Sequence, residues 1–492
     1  MSWSGTNADL AVLLIDGKLV GAEGGATYET INPATEEVLG VAADATASDM
    51  DAAIAAARRA FDETDWSTDV AFRARCLRQL RDAMQTHGEE MRALTTAEVG
   101  APAFLTSGAQ YDAPVADLGM IADLAETYDG WTTDLGEASP MGMKSHRWIL
   151  REAAGVVGAI TPWNFPHQIN LAKVGPALAA GCTVVLKAAP DTPWCASSVA
   201  RIVAEETDIP SGVLNIITST DHALGAQLSG DPRVDIVSFT GSTATGKAVM
   251  ANASQNLTKV FLELGGKSAF IVLDDADIGG AAAMAGFTAA THAGQGCAIT
   301  TRLLVPRSRF DEAVEATAAT MNALGAGDPT QAGVVCGPLI SARQRERVEG
   351  YLALATEEGG TFAAGGGRPA QFDRGFFVEP TLIVGLDNHA RVARDEIFGP
   401  VLVAIPYDGD DEAVAIANDS PYGLSGAVHS GDTERAWSVA RRIRTGTMSI
   451  NGGVWYSGDV PFGGYKHSGI GREMGTAGFE EYLETKSVAE IV

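Results

Sequence analysis

Three short runs carry side chains whose types could do nucleophilic and acid–base chemistry. Cys297 sits in His292-Ala293-Gly294-Gln295-Gly296-Cys297-Ala298, a single thiol bracketed by glycines. Such a loop lets backbone amides and a small molecule approach one sulfur. A free cysteine more often packs as a small hydrophobe, so the loop alone favours that plainer role. Asn164 lies in Thr161-Pro162-Trp163-Asn164-Phe165-Pro166, directly after a strand-like run. An amide at the carboxyl edge of a sheet fits either an oxyanion donor or a residue that satisfies a turn. Glu263 stands between leucines in Leu262-Glu263-Leu264-Gly265-Gly266-Lys267-Ser268. Burial there would lift its pKa into a general base's range, and a salt-bridged strand end is the alternative.

Three further runs could hold a ligand. Phe239-Thr240-Gly241-Ser242-Thr243-Ala244-Thr245-Gly246-Lys247 follows an expected strand and opens an expected helix, where free amides and the helix dipole suit a pyrophosphate. It lacks GxGxxG spacing and a Walker pattern, so a tight βα turn explains it equally well. Glu396-Ile397-Phe398-Gly399-Pro400 and Pro461-Phe462-Gly463-Gly464 are aromatic loops that fit either turns or ligand contacts.

The elements that would position these runs are legible from periodicity. An alanine-rich helical run, Gly280 to His292, precedes Cys297, and a strand-like run, Ala298 to Val305, follows it. Between Ala154 and Phe239, strand-like runs at 156–161, 183–187, 213–217 and 235–239 alternate with helical stretches. That alternation means parallel strands with crossover helices. A second series gives strands at 303–306, 378–384, 401–406 and 448–451, with helices at 309–324, 342–358, 411–418 and 433–443. Two α/β domains are therefore expected. Upstream, Leu13 to Val20 reads as a hairpin around Asp16-Gly17. Ser48, with Asp51 three residues on, is expected to cap a helix whose buried stripe is Met50, Ile54, Ala57 and Phe61. Helices at 72–84 and 115–128 follow, with Arg73, Arg75, Arg78 and Arg81 expected on a solvated face. The turn-rich stretch from Trp131 to Arg151 reads as a strand-like arm, Gly359 to Gly367 as a surface loop, and Ser487 to Val492 as a terminal strand.

Composition limits the function classes. At 492 residues the chain allows about two or three domains. The balance of 35 Lys+Arg against 62 Asp+Glu, a net charge of -27, argues against nucleic acid and against anionic membranes. Five scattered cysteines, Cys76, Cys182, Cys195, Cys297 and Cys336, with no CxxC, suit a reducing cytoplasm and no disulfide framework. No secretory signal, membrane span or metal-ligand spacing is read, so no metal is expected.

In their order along nearly the whole chain, TPWNFP, FTGSTATGK, LELGGKS, GQGC, EIFGP and PFGGYKHSGIGRE (Pro461 to Glu473) resemble the NAD(P)-dependent aldehyde dehydrogenase superfamily, of the hydrolytic, non-acylating type. The resemblance implies an α/β fold of two Rossmann-like domains plus a small β oligomerisation arm. Residues 1–127 and 150–263 would bind the dinucleotide, 264–477 would form the catalytic domain, and 128–149 with 478–492 would mediate a homodimer or homotetramer. It implies that the Cys297 thiolate attacks an aldehyde, that Asn164 and the Cys297 N–H hold the oxyanion, and that the thiohemiacetal yields hydride to nicotinamide. Glu263 would then activate the water that hydrolyses the thioester. Activation of the thiol would come from the nicotinamide's positive charge, local amides or Glu263.

The implied cofactor contacts are Ile160, Thr161, Trp163, Asn164, Lys187, Pro190, Gly241, Ser242, Glu263, Leu264, Gly265, Glu396 and Phe398. NAD is expected. Where many NAD-preferring relatives carry a glutamate three residues after the lysine, this chain has Pro190, which can neither accept ribose hydrogen bonds nor repel a 2'-phosphate, so NADP is expected to be accepted too. The implied aldehyde pocket is His167, Gln168, Ala298, Trp455, Tyr456 and Phe462. It has no arginine, which favours an uncharged aliphatic or aromatic aldehyde. A betaine-aldehyde-type enzyme using Trp455 and Tyr456 as an aromatic cage, a semialdehyde dehydrogenase and a CoA-acylating enzyme are the alternatives, the last opposed by Glu263.

Overall fold

A computed structural model describes residues 10–492, and residues 1–9 of the expected first segment lie outside it. Among the described residues, five parallel strands form the middle of an eight-stranded sheet, in the order Lys259–Leu264, Ile236–Gly241, Val156–Ile160, Thr183–Lys187 and Leu214–Ile217. The hairpin Leu13–Ile15/Lys18–Val20 extends one edge, its turn made by Asp16 and Gly17 with φ of 53° and 73°. Gly469–Ile470 extends the other edge, antiparallel to Leu262 and Glu263. Alternate side chains feed two cores: Val157, Val184, Leu186 and Ile216 on one face, Val156, Val185, Val237 and Leu262 on the other. Helices cover both faces, which is why these strands read as continuous apolar runs.

The second sheet runs Thr361–Ala364, Thr381–Val384, Val401–Tyr407, Thr300–Pro306, Ser268–Val272, Gly426–His429 and Ser449–Ile450, parallel except for the first. Ile271, Leu304 and Val403 face one core, and Phe270, Leu303 and Leu402 face the other. A third, antiparallel sheet joins Leu483–Ile491, Ser145–Ala153 and Thr132–Ala138. The two large sheets share one seam: the carboxyl ends of 156–160, 236–241 and 259–264 meet the loop that precedes Thr300–Pro306. Ligands of open α/β sheets bind at such carboxyl edges.

Several expectations need correction. The first long helix, Ala47–Glu63, is capped by Thr46 and Asp49 in a reciprocal capping box, two residues before the expected Ser48 and Asp51. The arm's second strand continues to Ala153 because nine residues of the terminal strand pair with it. The glycine-rich 359–367 stretch contains the edge strand Thr361–Ala364. Gly469–Ile470, expected in the second domain, belongs to the first sheet. The strands Thr27–Ile31, Val38–Ala43, Lys259–Leu264, Ser268–Val272 and Gly426–His429 and the helix Gly88–Val99 were not anticipated.

Arg73 is the sharpest departure. It is fully buried, not solvated: its Nε donates to the Ala179 carbonyl at 3.1 Å and its Nη1 to the Trp66 carbonyl at 2.9 Å. It thereby ties the helix Val70–Thr86 to the end of the helix Pro166–Ala180, whose first turn carries the site. Arg73→Ala is expected to lower unfolding stability by about 2–4 kcal/mol, since it opens a cavity and strands two buried carbonyls. Arg75→Ala, at an exposed position on the same helix, is expected to stay within about 0.5 kcal/mol. Urea titrations of the two variants compare them.

Candidate active site

Cys297 stands where two cavities meet. One, about 380 Å³, is lined by Gln168, Ala298, Trp455, Tyr456 and Phe462 among others, and the second, about 450 Å³, by Trp163, Gly241, Ser242, Glu263, Glu396 and Phe398 among others. Asn164, Ile169, Thr240 and Cys297 line both. The sulfur is thus reachable from either side.

The loop that presents it is held tightly. His292 and Ala293 adopt left-handed backbone with φ of 52° and 51°, uncommon outside glycine, and Gly294 continues the turn at 69°. A Cβ on Gly294 would sit 2.0 Å from the Gly399 carbonyl oxygen, so the loop packs directly on the turn that carries Phe398. A Cβ on Gly266 would lie 2.8 Å from the Cys297 carbonyl oxygen. This contact brings the strand end with Glu263 against the cysteine loop. From the first sheet, the Asn164 Nδ2 donates to the Gln295 carbonyl at 2.9 Å, leaving its second N–H for a ligand.

Electrostatics around the sulfur run against ionisation. Burial pushes the Cys297 thiol well above its ordinary range, the carboxylates of Glu263, Glu396 and Glu473 push the same way, and only the Ala298 N–H opposes them. Glu263 is 2% exposed and neither of its carboxyl oxygens has a hydrogen-bond partner. Burial first, and then Glu473, raise its pKa well above the carboxylate range, with Lys173 and Arg472 opposing. A buried carboxyl of this kind can hold or release a proton near neutrality. An ionised Glu263 disfavours a neighbouring thiolate, so it assists the sulfur only by taking its proton.

Behind Glu263 lies a pair that the sequence reading missed. Lys173, with no exposed side-chain surface, donates to Glu473 and to the Ser238 hydroxyl at 2.8 Å. Glu473 lines the first cavity, and Gly469–Ile470 pairs with the Glu263 strand just before it. The two residues are 300 positions apart and no spacing signal joins them. Arg343 and Arg347, four apart on the helix Ala342–Glu357, line the second cavity and were also missed. Their i, i+4 spacing on one helical face was the available signal.

The second cavity carries groups that could hold a dinucleotide. Ser242 caps the helix Thr243–Ala253, whose first turn offers free amides, and the two arginines add positive charge for a pyrophosphate. A Cβ on Gly265 would fall 2.2 Å from Glu396 Oε2, so glycine and Leu264 form a floor on which the carboxylate rests. Glu396 accepts from the Gly266 N–H at 2.9 Å, and burial raises its pKa to about 7. Trp163 meets Phe398 edge-on across the seam, with centroids 5.4 Å apart. Ile160, Thr161, Lys187 and Pro190 are not among the residues lining this cavity and sit at the carboxyl edge of neighbouring strands. Thr161 Oγ1 is buried without a partner. Lys187 is buried, which lowers its pKa, with Asp221 and Asp44 opposing.

The first cavity is chiefly apolar. Trp455 and Phe462 stack at 5.6 Å with planes 7° apart, and Tyr456 meets Trp455 at 5.9 Å. Phe165, Met284, Ile299 and Val454 also line it and were not anticipated. Its described lining contains no lysine or arginine, and its one carboxylate, Glu473, is paired with Lys173. His167 requires correction: it does not line the cavity. It is fully buried against Tyr111, edge-on at 5.0 Å, and burial holds its pKa down to about 3. Gln168, one residue and about 100° further round the helix, faces the cavity instead.

Comparison with known proteins follows the same lines. The sequence profile of the aldehyde dehydrogenase family matches residues 20–488. The chain is 42% identical to a 3-succinoylsemialdehyde-pyridine dehydrogenase from a Pseudomonas species, covering 98% of both chains. It is 40% identical to a geranial dehydrogenase from Castellaniella defragrans, covering 97% of this chain and 98% of that one. Among solved structures, betaine aldehyde dehydrogenase from Staphylococcus aureus in complex with NAD+ matches with a TM-score of 0.93 and 37% identity over 97% of this chain and 94% of that one.

The thiol geometry makes a pH prediction. Without cofactor, alkylation of Cys297 by iodoacetamide is expected to rise with pH to a midpoint above about 8.5, the ordinary thiol value, because the shift is upward. A rate that reaches its plateau below pH 7 contradicts an upward shift caused by burial and the neighbouring carboxylates. Cys76, Cys182, Cys195 and Cys336 are buried and are expected to stay unmodified in the native protein.

Proposed function

The chain belongs to the aldehyde dehydrogenase family, and from that premise we propose that it oxidises an uncharged aldehyde to the carboxylic acid with an oxidised nicotinamide dinucleotide. The observation that carries this reading is the single sulfur shared by an apolar cavity and a dinucleotide-shaped cleft, with Asn164 and Glu263 beside it.

The roles follow from the geometry. Cys297 Sγ gives up its proton and bonds to the aldehyde carbon, and the carbonyl oxygen becomes an anion. The free N–H of Asn164 and the Cys297 backbone N–H are the donors for that anion. Glu263, buried and unpartnered, takes the proton of the thiol, releases it to solvent once the acyl group has formed, and then takes a proton from the water that attacks the acyl carbon as the S–C bond breaks. The Lys173–Glu473 pair next to it sets the field in which that carboxyl titrates. Glu396, Leu264, Gly265, Gly241, Ser242, Trp163 and Phe398 would hold the dinucleotide, with Arg343 and Arg347 toward its phosphates. When bound, the dinucleotide supplies the hydride acceptor and a positive charge close to the sulfur.

Substrate choice rests on the apolar cavity. One face of Trp455 is covered by Phe462, which leaves less aromatic surface for a quaternary ammonium and favours a plain hydrophobic wall. Geranial, the substrate that names one relative, is an uncharged aldehyde of this kind. Ala298 leaves room beside the sulfur. At the adenosine end, Pro190 offers no carboxylate, and the adjacent Asp191 is ion-paired with Arg343 at 3.8 Å. A panel of aldehydes assayed with NAD and NADP tests the reading. Turnover on apolar aldehydes, catalytic efficiencies comparable for the two cofactors and, in Glu263→Gln, one equivalent of reduced cofactor followed by turnover at least about 100-fold slower are expected. Silence across the panel refutes the function. An NAD preference above roughly a thousandfold, about 4 kcal/mol, refutes the cofactor reading.

The nine-residue strand Leu483–Ile491 leaves one edge unpaired, with Ile491 and Val492 exposed, and an open edge of that length is a template for another copy of the chain. The proposed assembly is a homodimer or homotetramer. Sedimentation equilibrium is expected to return two or four times 51.1 kDa, and a monomer at micromolar concentration refutes it.

A further inference from the structure

We propose that His292, together with Gln110, is a positioning residue that fixes the amide of Asn164 as an oxyanion donor. The proposal rests on the aldehyde-oxidising reading above.

Asn164 is held at both ends. Its main-chain carbonyl accepts from Gln110 Nε2 at 2.8 Å and lies 2.8 Å from His292 Nε2. Gln110 Nε2 also lies within hydrogen-bond distance of His292 Nε2, at 3.3 Å, with the direction set by the imidazole tautomer. At the other end, the side-chain Nδ2 donates to the Gln295 carbonyl at 2.9 Å. Gln295 is itself saturated: its Oε1 accepts from the Ile340 N–H at 2.9 Å, and its Nε2 donates to the His292 and Pro338 carbonyls, each at 3.2 Å. His292 therefore acts on both ends of Asn164, directly through its ring and indirectly through its own carbonyl and Gln295.

The 2.8 Å approach of the imidazole Nε2 to the Asn164 carbonyl oxygen favours the tautomer protonated at Nε2. Its Nδ1 is buried without a partner, so a proton placed there would be stranded, and the Nε2 lone pair would then face the Asn164 oxygen. With the proton on Nε2, the ring donates and only an acceptor goes unused. Burial also lowers its pKa to about 4, so the ring stays neutral through the physiological range. The left-handed backbone at His292, φ 52° and ψ 37°, is an unusual conformation for a residue with a Cβ, and the ring it places makes this contact and an edge-on one with Phe165 at 5.1 Å.

The consequence is geometric. A primary amide can present either its NH2 or its oxygen toward the sulfur, and the wrong half would repel a forming oxyanion. Holding Nδ2 on the Gln295 carbonyl settles which half faces Cys297, and the grip of Gln110 and His292 on the main chain keeps Asn164 from rotating away. No ionisation is involved, so the role is pH-independent above the imidazole's lowered pKa.

The test compares His292→Leu, His292→Gln, Gln110→Leu and the His292→Leu/Gln110→Leu double variant with wild type. Turnover, KM and the rate of Cys297 alkylation by iodoacetamide in the presence of NAD are measured for each. His292→Leu is expected to lower kcat about tenfold or more, with KM and the alkylation rate changed less than about threefold, because alkylation develops no oxyanion. His292→Gln, which retains an amide donor, is expected to recover most of the loss, and the double variant to fall below either single one. Should His292→Leu not fold, Gln110→Leu and His292→Gln carry the same comparison. Undiminished kcat in the double variant overturns the proposal, as does an alkylation rate that falls in step with kcat, the mark of a collapsed loop. A wild-type protein inert toward every aldehyde removes the underlying reading and the positioning role with it.

Discussion

The hydrogen bond from the Asn164 side chain to the Gln295 carbonyl spans the seam between the two large sheets, and the site exists only while that seam is closed. Neither side is reactive alone. The first sheet supplies Asn164, Glu263 and the amides around Ser242, and the second supplies the thiol and Glu396. The seam is drawn in by glycines where a side chain cannot fit, Gly266 on the Cys297 carbonyl and Gly265 on Glu396, and Gly294 packs the cysteine loop on the Gly399 carbonyl within the second half. These contacts put one sulfur at the joint of two cavities that serve different ligands.

Charge decides when the site works. The carboxylates of Glu263, Glu396 and Glu473 bear on the thiol, and the buried cation Lys173 is committed to Glu473. Burial and these carboxylates disfavour the thiolate. A cationic cofactor ring is the partner such a field calls for. The chain as a whole is strongly acidic, at -27, so an anionic dinucleotide must be captured locally. Helix amides behind Ser242, with Arg343 and Arg347, are the proposed source of that local capture.

Much of this was legible in the chain and the rest was not, for physical reasons. Parallel strands buried on both faces announce themselves as apolar runs, so most strands of the two large sheets were readable, whereas Lys259–Leu264, Ser268–Val272 and Gly426–His429 and the small two-stranded sheet Thr27–Ile31/Val38–Ala43 were not. Cys297, Asn164 and Glu263 lie in glycine- or proline-marked turns at strand ends, where backbone geometry restricts residue choice. His167 and Gln168 could not be told apart because the helix Pro166–Ala180 is buried nearly all round, so periodicity does not say which face is the cavity. Arg73 looks like its solvated neighbours in sequence, since the carbonyls that bury it come from Trp66 and from Ala179, far along the chain. The Lys173–Glu473 pair depends on Gly469–Ile470 crossing back to the first sheet, a long-range pairing that local pattern does not encode.

The proposed chemistry passes through a covalent acyl group carried by Cys297. The most direct measurement is peptide mass spectrometry of protein quenched in acid during turnover with an apolar aldehyde and NAD, using Glu263→Gln to slow hydrolysis. The peptide containing Cys297 is expected to gain the mass of the aldehyde less two hydrogens, the signature of a thioester. An oxidised product formed with Cys297 unmodified at every quench time, or an adduct on another residue, would contradict the account.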